Sequence, residues 1–408
     1  MAETKTFSYR GRDGAGKIVK GSVEASSEVA ATGRLRVMGI TPISLADGRA
    51  TGLNMEIKIP GFEKSVKLKD LAVMARQMST MVSSGLSLLR TLTILAEQTE
   101  SLPLRRTLGS VRSDVEAGTS LSDAMGKHAK VFPPLMINLV RAGETGGFLE
   151  GSMLSIAENY ENEVKLRSTI KSALTYPVAV LFIAILAIAG MLIFIVPIFE
   201  KMFEDLGGEL PIPTQILVTL SKQMVWLGPL VVVLSIVFAF WWRANKHTEA
   251  VRKVVDPLRL KLPVFGPLFA KVTIARFSRN FSSMIGAGVP ILQSLNIVGE
   301  TSGNYVIEQG LRKVAESVRT GRSLSAPLAE IPVFPPMVVQ MVAVGEDAGA
   351  LETMLSKIAD FYDDEVQATA EQLTALIEPM MIAFIGAVIG GMVVAMYMPM
   401  FSIFENIS

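Results

Sequence analysis

Val131-Phe132-Pro133-Pro134 opens a stretch of this sequence that is written twice. It recurs as Val333-Phe334-Pro335-Pro336, and the landmarks that follow keep the same distance. Gly143-Glu144-Thr145-Gly146-Gly147 answers to Gly345-Glu346-Asp347-Ala348-Gly349, Leu149-Glu150 to Leu351-Glu352, Tyr160 to Tyr362, and Glu163-Val164 to Glu365-Val366, all offset by 202 residues. Fifteen of these 34 positions are identical. Self-similarity at a fixed period outranks local signals, because it defines the unit that folds. At the same offset Tyr176-Pro177 matches Glu378-Pro379, and each proline opens a long apolar run. The repeated unit is therefore a helical domain feeding a membrane span.

The first copy begins well upstream. Arg76, Ser79, Met81, Gly85, Leu89, Leu92, Ile94 and Glu97 recur at Arg279, Ser282, Met284, Gly288, Leu292, Leu295, Ile297 and Glu300, now offset by 203. A one-residue deletion between Leu324 and Val333, relative to Leu121 and Val131, reconciles the two registers and falls in a loop. The duplication predicts two domains of one fold that match helix for helix.

Composition bounds the chemistry. Half of the 408 residues are apolar and mean hydropathy is +0.42, high for a water-soluble chain. The formal net charge is +1, so no global field argues for nucleic acid. Cysteine is absent, which removes disulfides, thiolate nucleophiles and cysteine metal sites together. His128 and His247 are the only histidines, one in an expected loop and one in a basic juxtamembrane stretch, a poor basis for a metal site or a general base. The first twelve residues are polar and lack the apolar core of a secretion signal, so the N-terminus is expected in the cytoplasm.

In chain order, residues 1–46 read as a small module: two strand-like stretches around a Gly/Asp turn, a helix, and a further extended stretch, ββαβ. Within it Gly11-Arg12-Asp13-Gly14-Ala15-Gly16-Lys17 approximates phosphate-loop spacing. Ile18 stands where Ser or Thr would hold magnesium, and a strand follows instead of a helix, so a hairpin turn is the better reading. Residues 47–66, rich in Gly, Asp, Thr and Pro, form a linker. A first helical bundle of about six helices occupies 67–170, with Leu71, Met74, Ala75, Met78, Met81 and Val82 marking one helix face. A first span follows at 177–199, with no charge before Glu200. An extracytoplasmic loop is expected at 200–224 and a second span at 225–242, flanked by Trp226 and Trp241-Trp242. A second bundle at 271–372 and a third span at 379–401 complete the chain. Residues 243–279 hold nine Lys and Arg, whereas 200–224 carry Glu200, Glu204, Asp205 and Glu209 against only Lys201 and Lys222. The positive-inside rule then places the basic stretch in the cytoplasm, and counting spans places the C-terminus outside. The expected fold is mainly α and integral to a membrane.

No residue set offers turnover. Glu144 with Glu150, and Glu346 with Glu352, pair carboxylates, yet both pairs sit in duplicated copies of one helix corner, where a glycosidase or protease would set unlike groups around one cleft. The corner residues Gly143, Glu144, Gly147, Glu150, Gly345, Glu346, Gly349 and Glu352 are candidates for docking or for structure. Thr145 and Asp347 stand as possible N-caps, which would leave the glutamates free to face a partner or a second protomer. The alternative is a carboxylate that braces its own bundle. Tyr176, Pro177, Glu378 and Pro379 mark the span entries, where a carboxylate requires water or a partner. The basic stretch beside the second span lacks interleaved aromatics, so topology and anionic lipid explain it better than nucleic acid. Gly386, Gly390 and Gly391 give the third span small faces suited to close packing in a homo-oligomer.

The duplicated bundle, with Phe-Pro-Pro, Gly-Glu-x-x-Gly and Tyr-Pro opening a span, resembles the type II secretion system F protein family. Phe7-Ser8-Tyr9-Arg10 and Leu210-Pro211-Ile212-Pro213-Thr214 also resemble family features, so the likeness covers nearly the whole chain. Glu378 departs from the Tyr-Pro pattern of the first copy. The resemblance implies a platform protein of the bacterial inner membrane, without enzymatic activity or cofactor. It further implies that a cytoplasmic hexameric assembly ATPase, pilin or pseudopilin subunits and other inner-membrane assembly proteins are partners. A second reading, from another class, is a transporter or channel subunit whose path forms between protomers, since the three spans hold almost no charge.

Overall fold

The computed structural model describes residues 5–12, 18–25, 28–47, 65–205, 210–246 and 248–407. The chain divides into two compact units, 1–64 and 65–408. In the first, strands β1 (Lys5–Arg12) and β2 (Ile18–Ala25) pair antiparallel, and β3 (Thr41–Asp47) lines the other side of β1. Helix α1 (Glu28–Val37) packs Ala31 and Leu35 against Val23 and Ala25. The phosphate-loop-like residues 13–17, the linker residues 48–64 and His247 lie outside the described residues.

The second unit carries the duplication. Its first bundle consists of α2 (Leu68–Ser83), α3 (Leu88–Gln98), α4 (Leu102–Glu116), α5 (Leu121–Gly126), α6 (Pro134–Gly146) and the start of α7 (Leu149–Gly190). A π-helical turn, Met191–Ile195, joins α7 to α8 (Val196–Asp205). Helix α9 (Ile212–Asn245) returns, and α10 (Glu249–Lys261) leads to the second bundle. That bundle is α11 (Gly266–Gly286), α12 (Ile291–Thr301), α13 (Tyr305–Arg319), α14 (Ser325–Leu328), α15 (Pro336–Asp347) and the start of α16 (Leu351–Ile407). The order α2 to α7 is reproduced by α11 to α16, and the registers shift between α14 and α15, where the sequence places the deletion.

The repeated motif has a physical explanation. Phe132 and Phe334 are buried, and Phe334 packs against Phe277 with ring centroids 4.8 Å apart and ring planes tilted by 59°. Burying one such ring contributes about 2 to 3 kcal/mol. Pro133 and Pro335 are extended, and Pro134 and Pro336 then take the first helical position, where a missing N–H costs nothing. The motif thus anchors a loop and starts a helix in three residues.

Among the described residues, three helices are long and apolar enough to cross a membrane: Leu149–Asp205, Ile212–Asn245 and Leu351–Met400. Two sequence expectations change here. The connection expected as a loop at 200–224 is largely helical, because α8 runs to Asp205 and Pro211 and Pro213 start α9 at Ile212. Neither Pro177 nor Pro379 opens a helix; both lie inside α7 and α16, which continue from bundle to span without interruption. The spans pack through hydroxyls on α9: Ser221 donates to the Leu192 carbonyl in the π turn and Thr214 to the Ala395 carbonyl, each at 2.5 Å. Val196, Val218 and Met396 pack beside them. Gly386, Gly390 and Gly391 meet nothing within 4 Å of a would-be Cβ, so the small faces of the third span are unused within the chain.

Candidate functional site

The helix corners are built around glycine and glutamate. Gly147 ends α6 at φ 74° and Gly349 follows α15 at φ 63°, a conformation glycine adopts without a Cβ penalty. The turn is closed by Phe148 N–H to the Gly143 carbonyl at 3.0 Å and by Ala350 N–H to the Gly345 carbonyl at 2.8 Å. Gly143 and Gly345 also let the next helix cross closely. A Cβ on Gly143 would lie 2.5 Å from Ser152 Oγ, and one on Gly345 would lie 3.0 Å from Met354 Cβ.

Glu144 sits in the last turn of α6 and reaches sideways to the start of α5. Its two oxygens accept from the backbone N–H groups of Leu121 and Ser122, the latter at 2.9 Å, while Ser120 Oγ accepts from Asp123 N–H at 3.2 Å. Glu346 repeats this on α14, accepting from Leu324 N–H at 2.7 Å and Ser325 N–H at 3.3 Å. Helices of six and four residues are too short to persist unaided. A carboxylate on their unsatisfied N–H groups supplies both the bonds and a favourable charge. This corrects the expectation that Thr145 or Asp347 would cap the backbone and leave the glutamates free. Both residues lie inside the last turns of α6 and α15, and both carboxylates are committed within their own bundle. Glu150 and Glu352 do not join them: they are exposed on the first turns of α7 and α16. At the span entries Tyr176 is exposed and Pro177 buried, whereas Glu378 and Pro379 are both exposed.

A polar seam between the two repeats was not singled out from the sequence. Asn159 Nδ2 on α7 donates to Asn280 Oδ1 at 3.0 Å and to Ser283 Oγ at 3.3 Å on α11. Arg276 binds Glu163 through both Nε, at 2.9 Å, and a terminal nitrogen, at 2.7 Å. Beside the seam, within the second repeat, Arg279 on α11 holds Asp360 at 2.8 Å and Asp363 at 2.7 Å on α16. Burial pushes the Asp363 carboxyl above the ordinary aspartate range, and the Arg279 guanidinium pulls it part of the way back. In the first copy the matching pair is Arg76 with Glu161, at 2.5 Å, where the hydrogen bond from Arg76 holds the Glu161 carboxyl low. The signal lay in the sequence: the repeated arginine has an acid at the repeated position 202 residues apart. Below the seam, Leu166, Leu268, Val272, Val366, Ala370 and Leu373 form an apolar cluster, and Thr374 Oγ1 donates to the Ala173 carbonyl at 3.2 Å, tying α16 to α7.

Part of the basic stretch after the second span is also internally engaged. Buried Asp256 accepts from Tyr305 N–H at 2.9 Å and stands 3.7 Å from Arg252 and 3.8 Å from Arg259. Arg252 reaches Glu308 at 2.9 Å. Arg259 also lies over the Trp242 ring, 5.9 Å from its centroid. These contacts clamp α10 to α13. The arrangement offers two braced bundles, a joined seam and two helices that run unbroken into the membrane.

The model of the type II secretion system (T2SS), protein F, matches residues 74–197 and again 277–399, and that of the type II secretion system protein F N-terminal domain matches 1–46. The type IV pilus assembly protein PilC of Myxococcus xanthus is 41% identical over 98% of this chain and 95% of its own length. The protein of that name from Thermus thermophilus is 42% identical over 98% of this chain and 99% of its own. The type II secretion system protein F of Vibrio cholerae is 31% identical over 96% and 97%. With the duplicated domain matched twice and relatives aligned nearly end to end, the chain belongs to the type II secretion system F protein family.

Proposed function

We propose that this chain is the inner-membrane platform of a type IV pilus or type II secretion machine, and that it couples a cytoplasmic hexameric assembly ATPase to polymerisation of pilin or pseudopilin subunits. The observation that carries the reading is mechanical. The helical run Leu149–Asp205 is 57 residues, about 85 Å, and α16 is equally long. Each begins inside a buried bundle core and ends in a span, so displacement of the bundle moves the membrane segment with no hinge loop to absorb it. The seam makes both repeats move together. Names borne by the relatives, pilus assembly and secretion, supply the process. The N-terminus then lies in the cytoplasm and the C-terminus outside, with other inner-membrane assembly proteins and anionic lipid around the spans.

The test is capture of the cognate assembly ATPase by the full chain in lipid nanodiscs. Saturable binding that is competed by soluble ATPase is expected. Absence of binding at any nucleotide state refutes the coupling.

A further inference from the structure

The two repeats contact each other asymmetrically. The corner of the first, on α6, packs against the elbow between α11 and α12 of the second. Asn138, Ala142, Thr145 and Phe148 face Ala287, Val289 and Gln293 across a groove of ≈ 350 Å³, and Gln293 Nε2 donates to Asn138 Oδ1 at 3.2 Å. Duplication supplies the same two surfaces a second time, as the corner of repeat 2 and the elbow of repeat 1. Among the described residues of the second unit, that second pair is open. Leu135 of α6 is buried, whereas its counterpart Met337 is 42% exposed. Val344, matching half-buried Ala142, is 53% exposed. On α16, Phe361 stands where repeat 1 has buried Asn159 and is 45% exposed. On the facing elements of repeat 1, Leu89 and Val73 are 41% and 47% exposed, although Arg276, the counterpart of Val73, is engaged in the seam.

From this open pair we infer that the corner of repeat 2 docks onto the elbow of repeat 1 of a second copy of this chain, head to tail, repeating between chains the contact made within each. Three observations favour a second copy. Each half of the contact has the fold of a half already engaged in this chain. The open faces carry exposed apolar side chains where the engaged faces are polar, Phe361 for Asn159 and Val73 for Arg276, so pairing them would take apolar area out of water. Their charges are complementary: Arg90 takes the place of Gln293, and Asp347 takes that of Thr145, both exposed. The contact is heterologous, so one docked copy leaves a further open face at each end.

The absence of cysteine from the chain makes the test clean. Arg90→Cys with Gln340→Cys places thiols at the open counterparts of Gln293 and Asn138. Asn138→Cys with Gln293→Cys places them across the contact within one chain, and reports that the fold is intact. Oxidation in native membranes should give the first variant a ladder of covalent dimers and larger species, lost on reduction. The second should close within the monomer. Chains bearing Arg90→Cys alone and Gln340→Cys alone should yield dimers when co-expressed, and neither should do so by itself. Monomers only from Arg90→Cys/Gln340→Cys, while the within-chain pair closes, would overturn the proposal, whether the N-terminal module or another protein then covers the face. As a second measurement, Arg90→Glu should abolish large species on native gels, and adding Asp347→Arg should restore them. Unchanged large species with Arg90→Glu alone would also count against it.

Discussion

Replacing Glu144 by Gln separates bracing of the bundle from docking of a partner at the residue the sequence marks most strongly. Glu144 accepts from two backbone N–H groups at the start of α5, and Gln offers one acceptor oxygen and turns an NH2 donor toward the other N–H. A hydrogen bond to a charged acceptor contributes about 1.5 to 3 kcal/mol net. Losing one, and weakening the other by removal of charge, costs about 2 kcal/mol of local stability. That is about 30-fold in the opening equilibrium of α5. Hydrogen exchange of the full chain in detergent reads this directly: a peptide covering 119–127 should exchange about 30-fold faster in Glu144→Gln, with α2 and α3 unchanged. Glu346→Gln should do the same to a peptide over 322–330. Unchanged exchange in those peptides, combined with loss of a binding partner, would refute the bracing assignment and return both glutamates to the surface.

Gly143→Ala forces its Cβ onto Ser152 and should lower stability by about 2 kcal/mol, whereas Gly345→Ala, with a wider gap to the flexible Met354, should lose about half of that; thermal melts of the purified chain distinguish them. Asp363 binds its proton more tightly folded than unfolded, because burial raises its carboxyl. Its contribution is therefore fully present below the ordinary aspartate pKa and is lost as pH rises through the raised folded value. Asp363→Asn should flatten the melting profile in the window just above the ordinary aspartate range, and an unchanged slope there would dismiss the assignment. Reporter fusions at Lys261 and Ser408 should report opposite sides of the membrane; both on one side would remove a span from the topology.

The duplication made most of the architecture legible. Two offsets, 202 and 203, placed the copies and the change of register, because identity at matched positions survives where helix boundaries blur. Charge and hydropathy located the three spans. The helices at 200–205 and 212–224 were hidden because the acids Glu200, Glu204, Asp205 and Glu209 read as an extracytoplasmic loop, while the helix-starting role of Pro211 and Pro213 is visible only once α9 is known to follow. The role of Glu144 was hidden for a different reason. Its partners, Leu121 and Ser122, lie more than twenty residues away, and a backbone N–H leaves no trace in side-chain pattern. The ion pairs inside each repeat lay half in view: Arg76 and Arg279 recur as identical residues, whereas their partners Glu161 and Asp363 share only their charge.

The platform reading is tested most directly by counting filaments in a strain lacking this chain. Deletion should abolish assembled pili or pseudopili while pilin, or pseudopilin, and the assembly ATPase remain at wild-type levels in their compartments, and restoring the full chain should restore the filaments. Filaments at wild-type number in the deletion strain would contradict the account.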